Sequence, residues 1–360
     1  MSIYINYGKD WVKTTYDTLA ASDIGTFLKP SMAVSVKPNL VTPKSADNGS
    51  TTHPEVVEGI ILFLKDFGIQ KINIIENSAA GYSTKQAFRI CGYEMLSERY
   101  NIPLVDLQND NIVTLKHGNS DIRICETALN TEFLINVPVL KAHCQTRLTC
   151  CMKNLKGCMP HDEMKRFHTL GLHKPIAALN ALLKTHYCVV DGICGDLSFE
   201  EGGTPVEANR IIAGQNPVLI DSYNAELIGY KPDEIDYLSY GKKLGLGEFC
   251  SMNTKVVELN PDRKPLVQVK SNRLSDKYRN LIEEDSACSV CYAALIFALH
   301  RKGGHVLQDS KIFIGQGFKG KKGNGNNKTI GIGNCAGGFD KYIKGCPPKA
   351  VEILSFLKNL

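Results

Sequence analysis

The chain has 360 residues, of which 43% are hydrophobic, 22% charged and 8% aromatic. That is ordinary globular composition at a length that suits about two domains, and it excludes a disordered, collagenous or coiled-coil chain. Lys plus Arg number 42 against 37 Asp plus Glu, a formal +5 that is too mild to argue for nucleic acid. The longest apolar runs, such as residues 60–64, fall far short of the roughly 20 residues of a membrane span. The first eleven residues lack the basic start and apolar stretch of a secretion signal, so a cytoplasmic protein is expected.

Along residues 1–230, apolar and β-branched runs at 32–36, 71–75, 133–140 and 187–190 read as buried strands. Helical patterns lie between them at 54–67, 84–100 and 161–184. Pro54 suits the first turn of its helix, with Glu55 and Glu58 near the positive end of the dipole. Residues 112–125 read as an antiparallel hairpin turning at His117-Gly118-Asn119. The expected fold is therefore α/β, a mostly parallel sheet with helices on both faces. A smaller α/β region, 231–360, follows. It holds a helix at 234–244, strands at 255–259 and 311–314, a charged stretch at 273–285 and a cysteine- and glycine-rich tail. The lysines of 319–328 read as a solvated loop, because no aromatic platform accompanies them.

Thirteen cysteines, an odd number, argue against a disulfide framework and for metal ligation, thiolate chemistry or packing. Cys288 and Cys291 form a C-x-x-C pair ahead of an apolar helical run. Cys335 lies among glycines, and Cys346 precedes two prolines. Four thiolates suit zinc or an iron–sulfur cluster. A structural zinc site prefers two C-x-x-C pairs, whereas here the second half is two lone cysteines in glycine-rich loops. A proline after a ligand cysteine also recurs in bacterial iron–sulfur runs. A [4Fe–4S] cluster is accordingly the expected cofactor, with zinc and unliganded thiols as the alternatives.

Several motifs occur together: Val36-Lys-Pro-Asn-Leu40, Thr52-His-Pro-Glu55, Val137-Pro-Val-Leu-Lys141, Met152-Lys-Asn-Leu-Lys-Gly-Cys158 and the tail cysteines. Together they resemble the domain-of-unknown-function 362 family over nearly the whole chain. The resemblance implies an α/β domain followed by a cysteine-rich cluster region, of a kind met mostly in anaerobes and archaea. It also implies a member carrying its own cluster without an appended two-cluster ferredoxin module. It implies no reaction.

Ligands in an open parallel sheet sit beyond the carboxyl ends of the strands. The strand ends here offer Lys37 and Asn39, then Glu76, then Lys141 and His143, then Asp191. Lys37, Lys141, His143 and Asp191 are the candidate catalytic residues. Thr52 and His53 precede a helix start, where backbone N–H groups favour an anion. With Asn39 and Glu76, and with Asn154, Lys156, His168 and His173 from the next polar cluster, they form the candidate binding set. The histidine spacing is not that of a zinc hydrolase. The G-x-G-x-x-G match at 315–320 lacks a following helix, which speaks against a dinucleotide and for a loop around the cluster.

Three functions compete. The first is an oxidoreductase passing single electrons from the cluster to a small anionic organic substrate, with Lys and His supplying protons. The second is a non-redox lyase or isomerase using an open iron as Lewis acid. The third is an electron carrier without chemistry of its own. The expected partners are that anionic substrate and a ferredoxin-like electron donor, with a homodimer left open and neither nucleic acid nor membrane expected.

Overall fold

The computed structural model describes residues 1–198, 202–265, 275–302, 310–325 and 328–360. Residues 273 and 274 of the expected charged stretch, and 326 and 327 of the lysine loop, lie outside the described residues. The chain divides into two compact units. The first comprises residues 1–143, 148–164 and 176–271, and the second 144–147, 165–175 and 272–360.

The strands of the first unit are, in chain order, β1 (Ser2–Tyr7), β2 (Ala33–Lys37), β3 (Lys71–Glu76), β4 (Leu104–Asp106), β5 (Ile112–His117), β6 (Ser120–Cys125) and β7 (Phe133–Asn136). The short β8 (Lys141–His143) and β9 (Arg147–Thr149) precede β10 (Tyr187–Asp196), β11 (Pro205–Gly214) and β12 (Lys255–Glu258). An eight-stranded sheet runs β12-β1-β11-β10-β7-β2-β3-β4. Only the pairs that β11 makes, with β1 and β10, are antiparallel. The fold is α/β with a mostly parallel sheet.

Alternation fixes which side chains enter which layer. Val34, Val36, Ile72, Ile74, Phe133, Ile135, Tyr187 and Val189 join one core with Leu19 and with Val56, Val57, Ile60, Ile61 and Leu64. Those residues belong to the helices α1 (Trp11–Ala21) and α2 (Pro54–Asp66). The intervening Leu134, Cys188, Val190 and Ile212 are also buried, so the central strands are covered on both faces. α1 and α2 cross at Gly59, where a Cβ would lie 2.5 Å from the Val12 carbonyl oxygen and 2.7 Å from Thr15 Cβ.

Glycines and prolines cut several expected elements. The helical pattern of 84–100 is two helices, Thr84–Ile90 and Tyr93–Tyr100, parted at Gly92 with φ 83°. That of 161–184 breaks at Gly171, with φ 68°, into His161–Thr169 and His173–Leu182. The run 133–140 leaves the ladder after Asn136, ahead of Pro138. The run 187–190 continues to Asp196 and returns as β11. The hairpin at 112–125 forms as expected, pairing Ile112 with Cys125 and His117 with Ser120.

In the second unit, β13 (Ile282–Glu284), β14 (Lys311–Ile314), β15 (Thr329–Ile332) and β16 (Lys341–Ile343) form a parallel sheet in chain order. Helices Ser289–Lys302 and Ala350–Lys358 accompany it. No helix among the described residues is long and apolar enough to cross a membrane.

The Gly59 crossing sets two effects against each other. Alanine gains about 1 kcal/mol in helix propensity, but its Cβ overpacks the contact at a cost of about 1–3 kcal/mol. Gly59→Ala is therefore expected to lower the denaturant midpoint, and an unchanged or higher midpoint would show that the α1–α2 contact yields freely.

Candidate functional site

Lys37 closes β2 and Glu76 closes β3, and the two strands are adjacent and parallel. Lys37 Nζ lies 3.0 Å from each Glu76 carboxylate oxygen and also donates to the Pro38 carbonyl at 2.9 Å. Both side chains are almost wholly buried, 1% and 3% exposed. Glu76 further accepts from the Leu40 and Asn77 backbone N–H groups, at 3.1 and 2.8 Å. Burial pushes its carboxyl above the ordinary range, and the Lys37 ammonium and these hydrogen bonds pull against it.

Asn154 sits over this pair and joins it to the rest of the expected site. Its Oδ1 accepts from Lys37 Nζ at 3.3 Å and from Asn39 Nδ2 at 2.8 Å, while its Nδ2 donates to Asn136 Oδ1 at 2.8 Å. Asn39 in turn accepts from Lys141 Nζ at 3.4 Å through its Oδ1, and its backbone N–H donates to Thr52 Oγ1 at 2.9 Å. Lys141 reaches onward to the Ser50 carbonyl at 2.5 Å. Five elements distant in sequence thus share one buried polar network.

The network floors a cavity of about 80 Å³, lined among others by Lys37, Asn39, Glu76, Asn77, Lys153, Asn154 and Lys156. At about 30 Å³ per water that is room for two or three waters, or one carboxylate- or phosphate-sized group. Gly157 is required at its wall, because a Cβ there would fall 2.2 Å from Glu76 Oε1 and 2.6 Å from Lys37 Nζ. Lys156, half-buried, is held well below the usual lysine range by loss of solvent and then by the neighbouring Lys153 ammonium. Asn77, Thr149, Gly157 and Asn136 were absent from the expected site set. The run Glu76-Asn77-Ser78 after β3 was the signal for Asn77, whereas the others enter only through packing.

His53 and Asp191 form a second buried pair in the same unit. His53 Nδ1 lies 2.8 Å from Asp191 Oδ2, which also accepts the His53 backbone N–H at 2.7 Å. Burial by itself lowers the imidazole, but the Asp191 carboxylate overrides it and leaves His53 above its ordinary value. The Trp11 ring meets His53 edge-on at 4.9 Å. Thr52 and Lys141 reach the cavity network through Asn39. His53, Asp191 and His143 are buried but are not among the cavity's lining residues. His168 and His173 belong to the second unit, where Ser289 Oγ lies 3.0 Å from His168 Nδ1.

Cys150, Cys151 and Asp221 bring three donor atoms within 4.8 Å of one another, a group that could hold a metal ion. Hydrogen bonds already engage both Asp221 oxygens, which accept from the Cys151 and Met152 N–H groups at 2.7 and 2.9 Å. Those bonds anchor the turn Cys151–Asn154 that delivers Asn154 to the cavity. Burial raises the Asp221 carboxyl to about 6 and the Cys150 thiol to about 12. Cys158 is likewise pushed up to about 12, the state of a packed neutral thiol.

The four tail cysteines do converge. Cys288, Cys291, Cys335 and Cys346 line one cavity of about 160 Å³ in the second unit, with Gly315, Gln316, Gly333 and Gly345 completing its wall. Burial, then the three other sulfurs, push Cys291 up to about 12. Gln316 Nε2 donates to Cys288 Sγ at 3.5 Å. Gly333, at φ 82°, would set a Cβ 3.9 Å from Cys291 Sγ, so the bare backbone borders the sulfurs. Four thiolates on one zinc at about 2.3 Å would stand only about 3.8 Å apart. The four sulfurs share one cavity whose volume admits either a single ion or a cluster.

Two outcomes test this geometry. Glu76→Gln leaves the Lys37 charge buried without its counter-ion, so unfolding free energy should fall by about 3–5 kcal/mol. The double replacement Lys37→Met with Glu76→Leu should recover most of it. For Asp221, the folded carboxyl titrates above its ordinary 3.8, near 6. Its proton-linked stabilisation is therefore complete below pH about 4 and lost as pH rises through about 6, a change of about 3 kcal/mol. Asp221→Asn should flatten that slope in denaturation curves taken from pH 4 to 7.

Comparison with known proteins places this site in a family. "Thylakoid-associated protein sll1697" of Synechocystis sp. is 26% identical over 234 residues, covering 62% of this chain and 71% of its own. The lactate racemase apoprotein of Thermoanaerobacterium thermosaccharolyticum aligns at 13% identity and a TM-score of 0.37, over 52% of this chain and 50% of that one. The family model described as domain of unknown function (DUF362) matches residues 34–226, a span that contains Lys37, Glu76, Lys141, Asn154 and Asp191. The chain belongs to the DUF362 family.

Proposed function

We propose that this chain is an iron–sulfur oxidoreductase that passes single electrons to a small anionic organic substrate. The observation that carries the reading is the shared cavity of about 160 Å³ lined by Cys288, Cys291, Cys335 and Cys346 and bordered by glycine backbone. A [4Fe–4S] cluster held by those sulfurs supplies one-electron chemistry. Cys288 and Cys291 agree with that role, since burial and the neighbouring sulfurs disfavour their thiolates unless a cationic centre compensates.

The substrate's charged end belongs in the cavity at the strand ends. Lys153 and the rim of that cavity attract an anion, while Asn39, Asn77 and Asn154 offer amides that fix its orientation. The Lys37 ammonium, bridged to the Glu76 carboxylate at the cavity floor, is the group from which a proton can move as charge arrives. The cavity of about 80 Å³ has room for a carboxylate or phosphate. A Lewis-acid lyase is the second reading, and the observation favouring it is that Cys346 alone of the four is exposed. A ligand lost there would open one iron.

Anaerobic purification with iron, sulfide and zinc counted per chain decides the cofactor. About four iron and four sulfide, with an electron paramagnetic resonance signal on reduction, support the proposal. Zinc without sulfide overturns it. Cys346→Ser separates the two chemistries, because a cluster that survives this change intact favours the lyase. For the anion cavity, Lys153→Ala should weaken phosphate or acetate binding in calorimetry by about tenfold or more, the effect of one charge-assisted hydrogen bond.

A further inference from the structure

The second unit presents a surface that neither cavity explains. Cys288, Cys291 and Cys335 are partly buried, but Cys346 reaches solvent. Beside these residues lie exposed apolar groups. Val290, between Cys288 and Cys291, is 58% exposed, and Tyr342, four residues before Cys346, is 46% exposed. Lysines stand close along the chain: Lys344 two residues before Cys346, Lys349 three after it, and Lys319 three after the cavity residue Gln316, all exposed.

Carboxylates also stand in this region, Glu284 accepting from the Ala287 N–H at 3.0 Å, and each keeps its charge unless a cation answers it. Asp285 faces Lys321 at 3.6 Å, Asp340 accepts from the Gly325 N–H at 2.9 Å, and Glu352 accepts from the Lys349 N–H at 3.0 Å. Exposed apolar side chains and exposed lysines thus lie within a few residues of the tail cysteines along the chain. An apolar centre with a charged rim is how transient protein interfaces are built, and rim charge governs encounter rate more than affinity.

Resting on the reading that these cysteines hold a cluster, we propose that the face around Cys346 docks an acidic one-electron carrier protein of the ferredoxin type. One electron leaves the reduced carrier and enters the oxidised cluster, with no bond made or broken. An anionic lipid surface shares the charge preference. The carrier is favoured because one of the cavity's four cysteines, Cys346, is itself exposed, which gives a redox partner close approach and a lipid nothing. Redox encounters also use small interfaces, which suits a patch built from a few side chains.

The test uses the full chain loaded with iron and sulfide, mixed anaerobically with a reduced acidic plant-type ferredoxin in a stopped-flow instrument. The second-order rate should fall about tenfold or more between low and high salt, as steered association does. The triple variant Lys319→Glu, Lys344→Glu, Lys349→Glu should lose about tenfold at low salt and show little salt dependence. Its iron content, paramagnetic spectrum and reduction by dithionite should match the parent, and the three Lys→Arg changes should retain the parent rate. A triple variant with the parent's rate and salt slope overturns the docking surface while leaving the cluster standing. Loss of binding to phosphatidylglycerol vesicles with an unchanged ferredoxin rate overturns it in favour of a membrane. A chain without iron overturns both proposals, and metal analysis identifies that case before any rate is measured.

Discussion

The Lys37–Glu76 pair is the constraint around which the first unit is arranged. Two opposite charges, each almost wholly out of water, are tolerable only where every remaining donor and acceptor is answered. That demand reaches far along the chain. It recruits the Leu40 and Asn77 amides, then Asn154, and through Asn154 the side chains of Asn39 and Asn136. Gly157 follows from the same pair, because no side chain fits against it. The cavity is the space left above a floor that must stay polar, which is why lysines and amides line it rather than leucines.

The cysteines divide by the same logic of solvent and partners. Cys91, Cys125, Cys150, Cys151, Cys158 and Cys188 are buried and behave as small apolar side chains. Of the tail four, three are partly buried and Cys346 is exposed; all face a common space, and burial followed by the neighbouring sulfurs raises the proton affinity of Cys288 and Cys291. A set of like groups assembled against mutual repulsion is informative, because packing alone gives no reason to gather them. The two polar centres belong to different compact units, and each is built by its own sheet.

Much of the fold was legible because its signals are local. Alternating β-branched runs gave β2, β3, β7 and the start of β10, and Pro54 marked the start of its helix. The breaks at Gly92 and Gly171 were less legible, since an apolar period continues across a glycine that the backbone uses at positive φ. β1 and β11 were not anticipated, although they complete the sheet through antiparallel pairs that no local pattern announces.

The identity of the functional groups was therefore a matter of sequence, and their grouping was not. Strand periodicity forces Lys37 and Glu76 to the ends of neighbouring strands, and the C-x-x-C spacing brings Cys288 and Cys291 together within one turn. Only the tertiary structure decided that Asn154 would bridge Lys37 to Asn39 and that Asp221 would anchor the turn carrying it. It likewise decided that His53 would face Asp191 outside the lysine cavity and that Cys346 would stand at the surface. The reason is physical. Local preferences depend on residues a few positions apart, whereas desolvated polar groups take partners from any distance along the chain, and which partner is within reach is known only once the core has closed.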